Sequence, residues 1–397
     1  MLGSRITRAD TTTSPQDPVR RTLGGHVLSL DGVRGLAILM VLAHNLNVLV
    51  GRQSRAGRAI DLVDDLGWVG VQLFFVLSGF LITGILLDTR ESDNYYRAFL
   101  GRRVLRIFPL YYGTLAVAFV VLPLVGSHHP PPDGQIWLWT YTSNWAAPAG
   151  HDNPEFPHFW SLAVEEQFYL VWPLVVRALS HRRLLALCIG LGIAAFGIRL
   201  GMRLGGVGPQ PVYMWTICRM DALAAGAAVA TILRMPRAAA WVEHRSRAIG
   251  WAALGLAVAG FLFTRGDPRT TGRSQTVGYS VLAVAFGVLV FAAVMAEARR
   301  RSLLHRALAW RPLRALGIYS YGMYVFHVPI HRAIGLPLLQ RWVSDDESVG
   351  AKIGIAYFAA VSAATFAAAV VSYHLVERRF LALKRYFTPS RTRIEAG

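Results

Sequence analysis

Ionisable side chains inside long apolar segments are the residues of this sequence that could do chemistry. Such a side chain costs roughly 2.5–3.5 kcal/mol at the centre of a membrane helix, so each needs a partner or a task. The first apolar segment holds Arg34 and, ten residues later, His44. Ten helical residues rise about 15 Å, which predicts Arg34 near the cytoplasmic face and His44 near mid-membrane. His44 could act as a general base, although packing between helices is the alternative for a lone histidine.

A group of arginines opens the third apolar segment and suggests a phosphate-binding site. Arg102, Arg103 and Arg106 are followed by Pro109 and Tyr111. Spacings of three and four place Arg106 over the other two arginines on a helix. Guanidinium forks suit phosphate, which makes the three arginines and Tyr111 candidate cofactor-binding residues. Anchoring by positive charge at the cytoplasmic face is the alternative.

Two adjacent carboxylates enter the fourth apolar segment within the run from Phe159 to Tyr169. Ser161 and Glu165 share a helix face by their spacing of four, and Glu166 points about 100° away. The predicted topology puts this group toward the outer side of the membrane. Glu165 and Glu166 could handle protons in catalysis. Their alternative role is to neutralise Arg34 or Arg219 between helices.

Polar residues of later segments are candidates for binding a substrate. Arg219 and Asp221 are two residues apart, so they do not face each other on a helix and need separate partners. The ninth segment aligns polar side chains on one face, which indicates either the lining of a site or hydrogen bonds between helices. The candidate substrate-binding residues are Ser161, Arg219, Asp221, Tyr324 and His327.

A metal site receives little support from the sequence. The loop 126–157 has no Lys or Arg, and histidines lie in it or just after it: His128, His129, His151 and His158. We expect a solvated or re-entrant loop here in preference to a metal site. Cys188 and Cys218 lie in apolar segments and have no metal-ligand spacing. We therefore predict no metal and no disulfide.

The elements that must position these residues are membrane helices. Apolar residues make up 54% of the 397 residues and charged residues only 16%, a balance typical of proteins in a bilayer. The sequence predicts an all-α integral membrane bundle of about ten transmembrane helices, at 33–50, 66–87, 107–125, 158–178, 184–202, 212–233, 248–264, 277–296, 313–335 and 351–375.

The distribution of charge predicts the orientation of this bundle. The net charge of +18 comes from basic residues in short loops, so it indicates topology and not nucleic-acid binding. Lys and Arg concentrate in alternate loops, which predicts N-in, C-in. We expect a cytoplasmic tail at 1–29, a transmembrane domain at 30–380 and a cytoplasmic tail at 381–397, with an uncleaved first helix. Arginine greatly outnumbers lysine, which suggests a bacterial source and hence the inner membrane.

Four blocks in this order resemble the membrane acyltransferase-3 family. They are the opening at 30–35 with His44, the arginines before Pro109, the run 159–169, and 317–330 with His327 and Pro329. The resemblance covers about 29–380. It implies transfer of an acyl group, most often acetyl, from acyl-CoA to a hydroxyl of a glycan, a lipid-linked saccharide or a secondary metabolite, with a separate periplasmic partner allowed.

The resemblance also implies roles for particular residues. Arg34 and His44 match the arginine and histidine that are regarded as essential in members of the family. Arg102, Arg103 and Arg106 match the family's arginine cluster. His44 would then serve as general base or as acyl carrier. The family usually leaves ten residues between that arginine and that histidine, whereas here nine intervene and Asn45 occupies the expected position. The competing readings are a transporter with a proton relay and a non-catalytic assembly or sensing protein.

Overall fold

The computed structural model describes residues 25–46, 67–126, 133–264, 270–299, 302–341 and 351–390, and across these ranges the chain is helical with no strand. A long helix lies in each predicted segment. The ten are α1 (Leu28–Asn45), α2 (Val69–Asp88), α3 (Tyr95–Ala116), α4 (Trp160–Ala178), α5 (His181–Leu204), α6 (Thr216–Ile232), α7 (Ser246–Thr264), α8 (Tyr279–Arg299), α9 (Arg311–Ile330) and α10 (Ala351–Ser372).

Shorter helical pieces extend or connect these ten. Short α-helices lie at Leu122–Leu124, Gln135–Trp139, Ser143–Ala146, Pro209–Met214, Pro236–His244, Leu303–Leu308, Leu336–Gln340 and Arg378–Ala382. The 3₁₀ turns are Ala147–Ala149, Pro157–Phe159 and Leu383–Phe387, and the π-helical segments are Val117–Val121, Ser274–Gly278, His331–Gly335 and Tyr373–Glu377.

Six helices in the described part of the chain are long and apolar enough to cross a membrane, or seven if the bent pair Pro209–Ile232 and Pro236–His244 is one span. The other long helices are α1, α4, α6 and α9, which carry most of the ionisable residues that the sequence singles out. Polar residues lower the apolarity of α1, α4 and α9, whereas α6 has only 17 residues and belongs to the bent pair. The chain is a multi-pass membrane protein, and the count of about ten crossings stays a prediction.

The helices differ in how much of their surface the protein covers. In α2, 83% of the apolar stretch is buried, whereas the corresponding share is 22% in α5 and 11% in α7. Apolar helices with little buried surface suit the outside of the bundle, because lipid surrounds them there and each helix pairs its own backbone polar groups. The peripheral helices therefore enclose the helices that carry polar side chains.

Glycines allow two helix pairs at the centre of the bundle to approach closely. A Cβ on Gly226 of α6 would lie 1.9 Å from the Val76 carbonyl oxygen of α2. Similarly, a Cβ on Gly317 of α9 would lie 1.8 Å from the Asp31 carbonyl oxygen of α1. Small residues permit such contacts between membrane helices. The α1–α9 contact brings the first turns of α1, including Arg34, against α9.

The first turn of α1 is held by an acidic side chain from α8. The backbone N–H and hydroxyl of Ser29 donate to Glu297 Oε2 at 3.0 and 2.9 Å. The hydroxyl is also 3.1 Å from His305 Nδ1. A carboxylate at a helix N-terminus pairs the otherwise free N–H groups there. We call this side of the bundle the Leu28 end.

Candidate active site

A cavity of about 120 Å³ lies among α1, α2, α3, α4 and α9. Charged and hydroxyl side chains line it together with apolar ones: Arg34, Val71, Phe74, Phe75, Leu77, Ser78, Leu81, Arg103, Arg106, Ile107, Ser161, Leu162, Glu165, Glu166, Tyr169, Ser320, Tyr321 and Tyr324. Seven of these are residues that the sequence proposed: Arg34, Arg103, Arg106, Ser161, Glu165, Glu166 and Tyr324.

Three arginines face this cavity from two helices. Arg34 of α1 lies 3.4 Å from Asp31 Oδ1, one turn earlier on the same helix. Arg103 of α3 places its guanidinium 5.0 Å from the centroid of the Tyr169 ring, within the range of a cation–π contact. Arg106 follows one turn later on α3 and also lines the cavity. Arg102 is exposed and does not line it.

The two carboxylates of α4 lie with these arginines and not at an opposite side of the membrane. Tyr169 donates a hydrogen bond of 2.8 Å to Glu165 Oε2 and also bonds the Ser78 hydroxyl of α2. Glu166 Oε1 is buried and has no hydrogen-bond partner in the described part of the protein. Arg103 acts electrostatically on both carboxylates. The helices α3 and α4 meet where Arg103 reaches Tyr169, which the spans alone did not predict.

A pair of hydroxyls forms another part of the cavity wall. The hydroxyls of Ser161 and Tyr324 lie within hydrogen-bond reach of each other, and they are 3.2 and 3.0 Å from the His158 carbonyl oxygen, to which either can donate. His327 lies behind Tyr324 and outside the lining, with its Nδ1 2.7 Å from the Tyr324 carbonyl oxygen. The rings of His158 and His327 are 4.7 Å apart. The two histidines support the hydroxyl pair from outside the cavity.

His44 and Tyr111 do not line the cavity. His44 lies near the end of α1, which is a regular α-helix through Asn45, so no bulge rotates it back toward Arg34. Asn45 donates to its own helix, at the Val41 carbonyl oxygen. Tyr111 is fully buried, donates to the Leu138 carbonyl oxygen at 2.8 Å and stacks on Tyr141. Tyr111 thereby fixes the loop segment 135–141 to the bundle.

Arg219 and Asp221 have separate partners, as their spacing predicts. Arg219 is fully buried and donates to Gln72 Oε1 at 2.6 Å. Four aromatic rings surround its guanidinium, and the nearest is 4.3 Å away: Tyr279, Tyr213, Phe75 and Trp160. Asp221 forms a 2.7 Å ion pair with the buried Arg199. Neither Arg219 nor Asp221 lines the cavity. The ring of Phe75 does line it and lies against the guanidinium of Arg219.

Sequence reasoning missed Tyr169 and Ser78 as members of the site. Tyr169 follows Glu165 by four residues, which places the two on one helix face and is the signal that could have identified it. Ser78 lies in an otherwise apolar segment and offers no such signal. His128 and His129 lie outside the described residues. Among the described residues, no group of three His, Cys, Asp or Glu is placed to hold a metal ion.

Comparison with known proteins identifies the family of this chain. The family model described as an acyltransferase domain, that of acyltransferase-3, matches residues 27–374. The peptidoglycan O-acetyltransferase OatA of Listeria monocytogenes is 31% identical over 77% of this chain and 49% of its own length. The O-acetyltransferase OatA of Staphylococcus aureus is 28% identical over 76% of this chain and 50% of its own length.

The chain spans about half the length of the curated relatives it matches. No solved structure matches it. The family match covers most of the chain, includes every residue that lines the cavity, and disfavours the transporter reading. The chain therefore belongs to the membrane acyltransferase-3 family.

Proposed function

We propose that this protein is a membrane O-acyltransferase that moves an acyl group, most simply acetyl, from acyl-CoA to a hydroxyl. The acceptor is a glycan, a lipid-linked saccharide or a secondary metabolite. The names of the relatives make a peptidoglycan glycan the first acceptor to test. In this proposal the protein lies in the bacterial inner membrane with about ten crossings, N-in and C-in, so that the Leu28 end faces cytoplasmic acyl-CoA.

The observation that carries the proposal is the meeting of arginines and carboxylates in one cavity. Arg103 and Arg106 approach it from α3, and Glu165 and Glu166 approach it from α4. Arginines bind phosphate groups through charge-assisted hydrogen bonds. A carboxylate within reach of a hydroxyl can take its proton. A donor held by its phosphates at the arginines would present its thioester toward the carboxylates.

The reaction joins these parts in one balanced step. The acceptor oxygen attacks the thioester carbonyl carbon, and the carbon–sulfur bond breaks. The acceptor proton passes to the carboxylate of Glu165 or Glu166 and then to the departing thiolate, which leaves as the thiol of CoA. The hydrogen bond from Tyr169 orients Glu165. Ser161 and Tyr324, which line the cavity, would bind the acceptor through their hydroxyls.

The role of His44 separates two versions of this mechanism. The family resemblance assigns His44 a catalytic role, as general base or acyl carrier, beside Arg34. The cavity geometry favours the carboxylates, because Glu165 lines the cavity and His44 does not. In the version that we prefer, Glu165 takes the proton and Arg34 holds negative charge at the Leu28 end.

The test is CoA release by the full-length protein in lipid nanodiscs, with acetyl-CoA and peptidoglycan fragments or other hydroxyl acceptors. Glu165→Gln should lower acceptor-dependent release by about 10²- to 10⁴-fold, the usual contribution of a general base. Glu243→Gln is the matched control, since this half-exposed carboxylate lies on the short helix Pro236–His244, away from the cavity.

Three other outcomes are informative. Full activity in Glu165→Gln with loss in His44→Ala would return the proton-accepting role to His44. Unchanged release in both variants would remove both residues from the mechanism. Acceptor movement across the membrane without acyl-CoA turnover would overturn the proposed function.

A further inference from the structure

The segment that follows α10 turns back along the Leu28 end and packs on α3. Its last 3₁₀ turn, Leu383–Phe387, places the Phe387 ring where a Cβ on Gly101 would be, 2.1 Å from the nearest ring atom. Asn94 ties down the following residues, since it donates to the Thr388 carbonyl oxygen and accepts from Ser390 N–H. Residues assigned by sequence to a tail therefore form part of the packed structure.

The geometry of this turn directs Lys384 toward the arginines of α3. Side chains three residues apart eclipse each other in a 3₁₀-helix, so Lys384 shares the face of Phe387, which packs on Gly101. Lys384 acts electrostatically with Arg106, Arg103 and Arg102. It lies nearly 280 positions away from them in the sequence, and it is partly buried.

The neighbouring Arg385 points elsewhere. Its guanidinium donates to the Tyr386 hydroxyl at 2.8 Å, and both side chains are exposed. Two adjacent cations on one turn thus have different surroundings. Lys384 faces the arginine cluster, while Arg385 faces away from it.

Four cations converge here, and none of them forms a close ion pair, although Glu165 and Glu166 act electrostatically on Arg103. None of Arg102, Arg103, Arg106 and Lys384 has a carboxylate oxygen within 4.0 Å among the described residues. Glu377 is buried nearby and acts electrostatically on Arg106. Like charges held together repel one another, and this repulsion is relieved when a polyanion binds. The arrangement fits a ligand with several phosphate groups.

We propose that Lys384, carried by the segment Leu383–Phe387, forms with Arg102 and Arg106 the subsite for the phosphate groups of the donor. The site consists of α3 on one side and the segment after α10 on the other. This inference rests on the proposed function, because the phosphates are those of CoA. An anionic lipid headgroup carries the same chemistry and must be distinguished by experiment.

The experiment measures the dissociation constants of CoA and of pantetheine, which lacks the phosphates, with the full-length protein in nanodiscs of zwitterionic lipid. Lys384→Ala should weaken CoA binding about 10-fold through loss of a charge-assisted contact and leave pantetheine binding unchanged. Lys384→Arg should restore most of the affinity. Arg385→Ala is the matched control and should bind CoA as the wild type does.

The outcomes separate this inference from the proposed function. If the wild type turns over acetyl-CoA and Lys384→Ala binds CoA as Arg385→Ala does, the subsite is wrong and the proposed function stands. If Lys384→Ala loses binding of phosphatidylglycerol and keeps that of CoA, the site belongs to a lipid and the inference is overturned. If the wild type neither binds CoA nor turns over acetyl-CoA, both fail.

Discussion

At the scale of single residues, Tyr169 connects the polar groups of the cavity. It donates to Glu165, bonds the Ser78 hydroxyl and lies under the guanidinium of Arg103. The sequence placed Glu165 at the site but left the carboxylate without an orienting group. In the proposed mechanism, a tyrosine that orients Glu165 affects the reaction more than it affects substrate binding.

We expect Tyr169→Phe to lower kcat about 10-fold with little change in KM, because it removes one hydrogen bond to the carboxylate that we propose as the proton acceptor and keeps the ring. Steady-state kinetics of CoA release measures this. Tyr319→Phe is the control, since its hydroxyl lies near His374 at the exposed side of the bundle. Equal kinetics of the two variants would show that Tyr169 does not orient Glu165.

Arg219 illustrates a candidate binding residue whose surroundings point to a structural role. We expect Arg219→Lys to lower the stability of the protein by about 2 kcal/mol, because lysine keeps the charge but loses the planar contact with four aromatic rings. Thermal unfolding in detergent measures the loss. Arg237→Lys, at an exposed site, should unfold like the wild type. A raised KM with unchanged stability would instead favour substrate binding by Arg219.

At the scale of elements, polar helices occupy the positions that face the cavity. The helices α1, α4 and α9 line it together with the buried α2 and the first part of α3. Ionisable residues mark helices that the others enclose, whereas apolarity alone does not identify the helices that face lipid, because the apolar α2 is also buried. The ten segments could be predicted because these patterns are local. Which of these helices pack against each other could not be predicted, because that depends on which helix surfaces fit together.

The contact between α2 and α6 should be sensitive to a single methyl group. We expect Gly226→Ala to destabilise the protein by about 1–3 kcal/mol, because its Cβ would meet the Val76 carbonyl oxygen at 1.9 Å. Gly255→Ala in α7 is the matched control, since a Cβ there has no atom within 4 Å. Thermal unfolding of both variants tests the contact, and equal midpoints would show that α2 and α6 do not approach this closely.

At the scale of the whole molecule, the proposed orientation determines which end of the cavity meets the donor. We expect Arg385→Cys, at the Leu28 end, to react with a membrane-impermeant maleimide only after the cells are permeabilised. Thr140→Cys, in the loop beyond α3, should react in intact cells because its side chain is exposed. Cys188 and Cys218 are buried and give a low background. The reverse labelling pattern would place the arginines outside the cell and exclude a cytoplasmic donor at that end.

The sequence by itself determined the helical membrane class, the ten helical segments and the family. These features depend on apolar runs, on charge in short loops and on motifs within single helices. The sequence suggested phosphate binding for Arg103 and, separately, proton transfer for Glu165, but it could not predict that the two lie close together. The predicted topology even separated them across the membrane.

Only the tertiary structure decided which candidates share a cavity. It turned Tyr111 toward the Leu138 carbonyl oxygen and enclosed Arg219 in aromatic rings. It also brought Lys384 from the last segment to the arginines of α3. Periodicity within a helix gives the direction of a side chain about that helix alone. The distance between two helices follows from close packing, such as the glycine contacts of α1 with α9, and no local pattern encodes it.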